Sequence, residues 1–251
     1  MDYFLSMSFY CAYESIKDMT DTDDMIAMET NTDNKTGIVK RVITGIRKIL
    51  EKLVRMVTTF IRQFKMATGR ITNNKKFANP MFNARNDEDP NSHIENKSSN
   101  ARKIINEMRD ISQQYGHIAA YLDKAIETSM RRFSEDDDRY SGDYTSIMSI
   151  DEINSLSSRV SELSQMMIRV DKVFTGKYES DIKGINAHLN SISNHINSMY
   201  EKCDRYQTTL ENHPRDAYRS RLDEMNKLFN TIQAFSASLA KFMSVCQSAL
   251  R

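Results

Sequence analysis

From Ile153 onward the apolar residues return at steps of three and four. They run Leu156, Val160, Leu163, Met167, Val170 and Phe174, then Tyr178, Ile182, Ile185, Leu189, Ile192, Ile196, Met199, Cys203, Tyr206 and Leu210. Such steps keep side chains on one face of an α-helix. Sustained over many heptads, they predict long helices laid side by side in the manner of a coiled coil. A second stripe (Ile104, Met108, Ile111, Tyr115, Ile118, Leu122, Ile126, Met130, Phe133) predicts a helix starting near Ser98 and ending near Phe133. Ser149 followed by Asp151 and Glu152 is an N-cap with first-turn acids, which opens a helix running to about Thr175. Across Gly176 the stripe takes three successive steps of four, the mark of a stutter. One helix locally unwound and two helices broken at Gly176 both satisfy it. Pro214 suits the first turn of a last helix, whose stripe is Tyr218, Leu222, Met225, Phe229, Ile232, Phe235, Leu239 and Phe242.

The region before these stripes differs in kind. Thr36 and Gly37 introduce a helix, predicted to end near Ala67, with a wide apolar face of Val39, Val42, Ile43, Ile46, Ile49, Leu50, Leu53, Val57, Phe60, Ile61 and Phe64. Its polar face is almost purely cationic. Arg41, Lys48, Arg55 and Arg62 recur every seven residues, joined by Lys40, Arg47, Lys52 and Lys65. Residues 69–97 carry Gly69, Pro80, Pro90 and many Asn, and read as a linker. Its length predicts a basic helix tethered to the remainder rather than built into it. The expected fold is therefore all-α. An acidic leader over 1–34 precedes a separate basic amphipathic helix over 35–68, a linker over 69–97 and an elongated antiparallel bundle over 98–251.

Composition supports this and narrows the chemistry. With 7 Gly, 3 Pro and no Trp in 251 residues, the chain lacks the turn residues that an α/β enzyme of this size needs. The three cysteines, Cys11, Cys203 and Cys246, are odd in number and widely spaced, which predicts free thiols. No run of about 18 apolar residues predicts a membrane-spanning helix. The net charge of +1 hides an asymmetry. Residues 1–29 carry seven acids against one base, whereas residues 35–76 carry twelve bases against Glu51 alone. A surface helix built only for solubility mixes both signs and gains i,i+4 pairs. So concentrated a positive charge repels itself unless an anion is supplied. The partners expected for Lys40, Arg41, Arg47, Lys48, Lys52, Arg55, Arg62 and Lys65 are nucleic acid, bound without sequence choice, or an anionic membrane surface; the alternative is a helix that docks its apolar side on the bundle and keeps its charge in water.

Candidate chemistry elsewhere is thin. His188 and His195 are seven apart, whereas metal pairs on a helix sit three or four apart, so no metal site is expected. Asp136, Asp137 and Asp138 fail the register of a calcium loop, because Met148 stands where the closing glutamate belongs. Glu107, Asp110, Asp123 and Glu127 read as the wet face of a helix. No nucleophile-elbow, zinc-protease, phosphate-loop or dinucleotide string occurs, so neither catalytic residues nor a cofactor are assigned.

The leader closes on Met25-Ile26-Ala27-Met28-Glu29-Thr30. This string resembles the cleavage sites of prohead proteases in large tailed bacteriophages, with Glu29 as the glutamate and Ala27 as the small residue two positions before it. The order of acidic propeptide, basic amphipathic helix and helical remainder is similar to that of internal virion proteins of such phages. The resemblance implies cleavage after Glu29, packaging beside DNA in the virion interior after synthesis in the host cytoplasm, contacts with other virion proteins, and no enzymatic role. In this reading the bundle over 98–251 self-associates through leftover apolar stripe; a membrane-surface protein and an interaction module that binds a helical partner through its coiled-coil surface are the alternatives.

Overall fold

A computed structural model of the chain describes residues 35–74, 91–134, 150–168, 170, 173–174, 178–212 and 222–250. They form five α-helices: α1 (Lys35–Asn74), α2 (Asn91–Ser134), α3 (Ile150–Met167), α4 (Glu179–Asn212) and α5 (Leu222–Ala249). Among the described residues there is no strand. The all-α bundle read from the stripes is present, and the stripe residues form its core. Ile104, Ile111, Tyr115 and Leu122 of α2 are buried, as are Ile185, Leu189, Ile192 and Ile196 of α4 and Ile232, Phe235, Leu239 and Phe242 of α5.

The basic helix is not separate. Ile43, Ile46, Leu50, Leu53, Phe60 and Phe64 of α1 are fully buried in the same continuous core as the stripes of α2, α4 and α5. The Phe64 ring meets Phe174 edge-on, with centroids 5.5 Å apart. The tethered-helix expectation is thus corrected, and the reason is the width of the apolar face. A face that broad touches two neighbours, and α1 packs against both α4 and α5.

Paired residues fix the helix directions. Arg47 meets Asp204 while Lys65 meets Asn190, so α1 and α4 run antiparallel. Tyr115 meets Ser238 while Ser129 meets Glu224, so α2 and α5 also run antiparallel. Arg109 meets Asp181 and Asp123 meets Lys202, so α2 and α4 run parallel. The bundle is therefore antiparallel along some seams and parallel along the α2/α4 seam. The short α3 lies on α2 and α5, tied by Arg159 to Glu107 and by Lys241 to Ser161.

Three boundaries differ from the sequence reading. Helix α1 continues through Gly69 to Asn74, because one helical glycine costs only about 1 kcal/mol. Helix α2 begins at Asn91, directly after Pro90. Its first turns hold one apolar residue, Ile94, so no apolar period announces them, and helix occupies both ends of the expected 69–97 linker. Helix α3 ends at Met167, where the Val170 amide donates to the Met167 carbonyl at 3.1 Å and closes a turn. The stretch that follows is rich in β-branched residues (Ile168, Val170, Val173), which are weaker helix formers. Val173, Phe174 and Tyr178 are buried nonetheless. Two helices, not one, therefore satisfy the stutter. Gly176 and Tyr218 lie outside the described residues, as does the whole leader.

Two helical glycines make opposite predictions. A Cβ on Gly45 would stand 2.9 Å from the Phe229 ring, so α1 and α5 approach closely there. Gly45→Ala is expected to lower stability by about 1 kcal/mol, the overpacking exceeding the gain in helix propensity. Adding Phe229→Leu is expected to restore it. At Gly184 the added Cβ would make only a 3.6 Å contact with Arg109 Cδ. Gly184→Ala is expected to raise stability by about 0.5–1 kcal/mol. Denaturant melts of the four proteins check both.

Candidate nucleic-acid interface

The cationic side chains of α1 divide into two groups according to what α1 packs against. Arg41, Lys48, Lys52, Arg55 and Arg62 are exposed and point away from the core. Arg55 pairs with Glu51 one turn earlier, a solvent-facing i,i+4 contact. Arg41, Lys48 and Arg62 have no ion pair among the described residues. The other group lies along the edge of α1 that faces α4. Arg47, with 34% of its side chain exposed, bonds Asp204 at 2.9 Å and lies 5.7 Å from the centre of the Tyr200 ring. The hydrogen bond to the Tyr200 hydroxyl leads the effects that hold its guanidinium above its ordinary pKa. Lys65 donates to Asn190 Oδ1 at 3.0 Å. Arg47 and Lys65 are therefore seam residues between α1 and α4, whereas the sequence places them with the outward cations. The Lys40 side chain and Glu29 lie outside the described residues.

A helix advances 100° per residue, so Arg41, Lys48, Lys52, Arg55 and Arg62 fall within a band about 80° wide. The band is about 31 Å long from Arg41 to Arg62. Its backing is rigid, because the opposite face of α1 is close-packed core. The only aromatic residues of α1, Phe60 and Phe64, are both in that core.

The titratable residues of α2 and α4 form a second polar system. Lys202 bonds Asp123 at 2.8 Å and Glu127 at 3.0 Å, and His195 Nδ1 lies 3.1 Å from Asp123 Oδ2. Arg131 reaches Glu127 from the solvent side. Lys202 and Asp123 have side chains only 16% and 13% exposed. Asp123, Glu127 and Glu107 are thus seam residues, contrary to their reading as a wet face. Helix α2 has neighbours on several sides, so the flanks of its stripe are covered too. The signal that would have found Lys202 is its spacing. His188, His195 and Lys202 are seven apart and form one face of α4, which turns toward α2.

Lys202, Asp123, Glu127, Arg131 and His195 thus each lie against a charged or ionisable partner on the facing or the same helix. His188 is held below its ordinary pKa by burial first, then by the charges of Arg109 and His117. Among the described residues no three His, Cys, Asp or Glu side chains converge as a metal site would require. The two described thiols, Cys203 and Cys246, are buried, which pushes Cys203 up to about 12 and Cys246 higher still and disfavours the thiolate. Tyr115 is also pushed up, by burial first, with its hydroxyl 2.6 Å from that of Ser238. These groups hold helices together, whereas the outward face of α1 presents a row of exposed cations to solvent. Comparison with protein-family models, with curated proteins and with solved structures finds no match.

Proposed function

We propose that the chain is a non-enzymatic helical scaffold whose α1 face binds the phosphate backbone of nucleic acid without sequence choice. One observation carries the reading. The apolar face of α1 is consumed by the core, and five exposed cations form a band on its far side, with a sixth, Lys65, exposed at the α4 edge. This same observation weighs against membrane-surface binding, which requires the apolar face of the helix to lie among acyl chains. No described helix is long and apolar enough to cross a membrane. The interaction-module alternative loses part of its basis too, because the stripes it would use are occupied within the chain.

The leader gives the proposal a setting. Its resemblance to prohead-protease substrates suggests an internal virion protein. Cleavage after Glu29 would remove a segment of net charge −6 and leave the remaining chain at +7. An acidic leader then competes with nucleic acid for the α1 band until it is cut. Intact mass of protein from mature particles tests the cleavage, and a full-length N-terminus there would remove this setting.

Binding itself is tested by fluorescence anisotropy with a mixed-sequence oligonucleotide. The quadruple variant Arg41→Gln, Lys48→Gln, Arg55→Gln, Arg62→Gln is expected to lose at least about 100-fold in affinity at moderate salt. Its melting temperature should stay within a few degrees, since these side chains are solvent-facing. Equal binding by the variant and the parent would refute the assignment.

A further inference from the structure

We infer that the α1 face takes double-stranded rather than single-stranded nucleic acid, lying along about one turn of the duplex. This rests on the proposed function above and specifies its ligand. The first argument is the missing stacking platform. Proteins that hold single strands gain about 1–3 kcal/mol per base by stacking bases on aromatic rings. The α1 face has no ring to offer, because Phe60 and Phe64 are fully buried. Tyr200, the ring nearest a seam cation, already sits against Arg47.

The second argument is shape. Arg41, Lys48, Lys52, Arg55 and Arg62 stand in a straight row about 31 Å long. The row cannot bend to follow a flexible strand, because Leu53, Val57 and Phe60 anchor the back of the helix in the core. A duplex is equally stiff on this scale, and at 3.4 Å per base pair about nine pairs match the row. Rigid charge on rigid charge needs no ordering of the ligand, whereas a single strand loses conformational freedom to lie along it.

The third argument is charge density. Counterion release gives a log–log salt slope of about −0.9 per phosphate contact on a duplex and about −0.7 on a single strand. Five contacts give slopes of about −4.5 and about −3.5, a difference worth about tenfold in affinity at 0.1 M salt.

The experiment uses the full chain and measures anisotropy with a duplex of about 24 base pairs, the corresponding single strand, and duplexes of about 12 and about 6 base pairs. Two unrelated sequences serve for each. The expected result is about tenfold preference for the long duplex over the single strand and agreement between sequences within about twofold. Affinity should drop sharply only for the shortest duplex. Arg41→Gln and Arg62→Gln, at the two ends of the row, should each reduce the duplex slope by about one. Both residues are exposed, so an unchanged melting temperature confirms that the fold is kept. Equal or tighter binding of the single strand overturns this inference and leaves the proposed function standing. Binding of neither ligand overturns both.

Discussion

Phe60→Ala is expected to destabilise the protein by about 3–5 kcal/mol, a large part of the 5–15 kcal/mol that holds a typical domain together. The side chain is fully buried, stacks near Phe64 with ring centroids 5.7 Å apart, and fills space where α1 meets the rest of the bundle. Leu53→Ala, equally buried, is expected to cost about 2–5 kcal/mol. The stronger form of the prediction concerns the fragment 75–251. If α1 were a tethered arm, that fragment would unfold cooperatively like the parent. With α1 integral, its removal uncovers the core faces of α4 and α5 together. The fragment is then expected to bind a hydrophobic dye and to melt without a sharp transition. Calorimetry of the fragment decides the matter, and a cooperative transition near that of the full chain would show that α1 is dispensable. The result bears on function as well. A helix that supplies both a quarter-turn of cations to solvent and a wall of the core cannot leave the bundle to meet its ligand. On the proposed function, the ligand therefore meets a preformed surface.

How far the sequence announces this structure depends on which signal is asked. The periodic stripes of α2, α4 and α5 are legible because a packed helix imposes a step of three or four on every core residue. The docking of α1 is not legible from its own residues. An amphipathic helix with a wide apolar face looks the same whether that face meets lipid or other helices, and the basic character of its far side does not distinguish the two. Only the availability of neighbouring faces on α4 and α5 decides it. The break after Met167 is hidden for a related reason. Val173, Phe174 and Tyr178 are buried without a continuous helix, so apolar spacing alone cannot tell a helix from a segment that leaves it. Within the candidate site, heptad spacing correctly gathers Arg41, Lys48, Arg55 and Arg62 on one outward line. It does not separate off Arg47 and Lys65, because their roles are set by Asp204, Tyr200 and Asn190 on another helix.

Lys202→Met is expected to cost about 2 kcal/mol at neutral pH and to change the pH dependence of stability. The lysine is largely buried between α2 and α4, and it is the one cation that touches both Asp123 and Glu127. Its removal leaves Asp123 to His195 and Glu127 to Arg131. Each carboxylate keeps one partner, so the cost stays below the 3–5 kcal/mol of an uncompensated buried charge. The pH effect follows from the two groups whose protonation the contact biases. The hydrogen bond from Lys202, followed by its charge, holds the Glu127 carboxyl below its ordinary pKa. The folded protein therefore binds its proton less readily than the unfolded chain. That contribution is fully present above the ordinary carboxylate range and disappears as pH falls through the depressed folded value. For Lys202 itself, burial opposes the charge, but the bonds to Asp123 and Glu127 outweigh it and hold the ammonium above its ordinary pKa. That contribution is present below the ordinary lysine value and is lost only as pH rises through the raised one. The parent should thus lose stability on both flanks, below about pH 4 and above about pH 10.5. Lys202→Met should weaken both dependences while lowering the plateau between them. Midpoints of urea melts between about pH 3 and about pH 11 read this directly. Parallel curves for parent and variant would mean that the α2/α4 contact adds nothing specific to its protonation state.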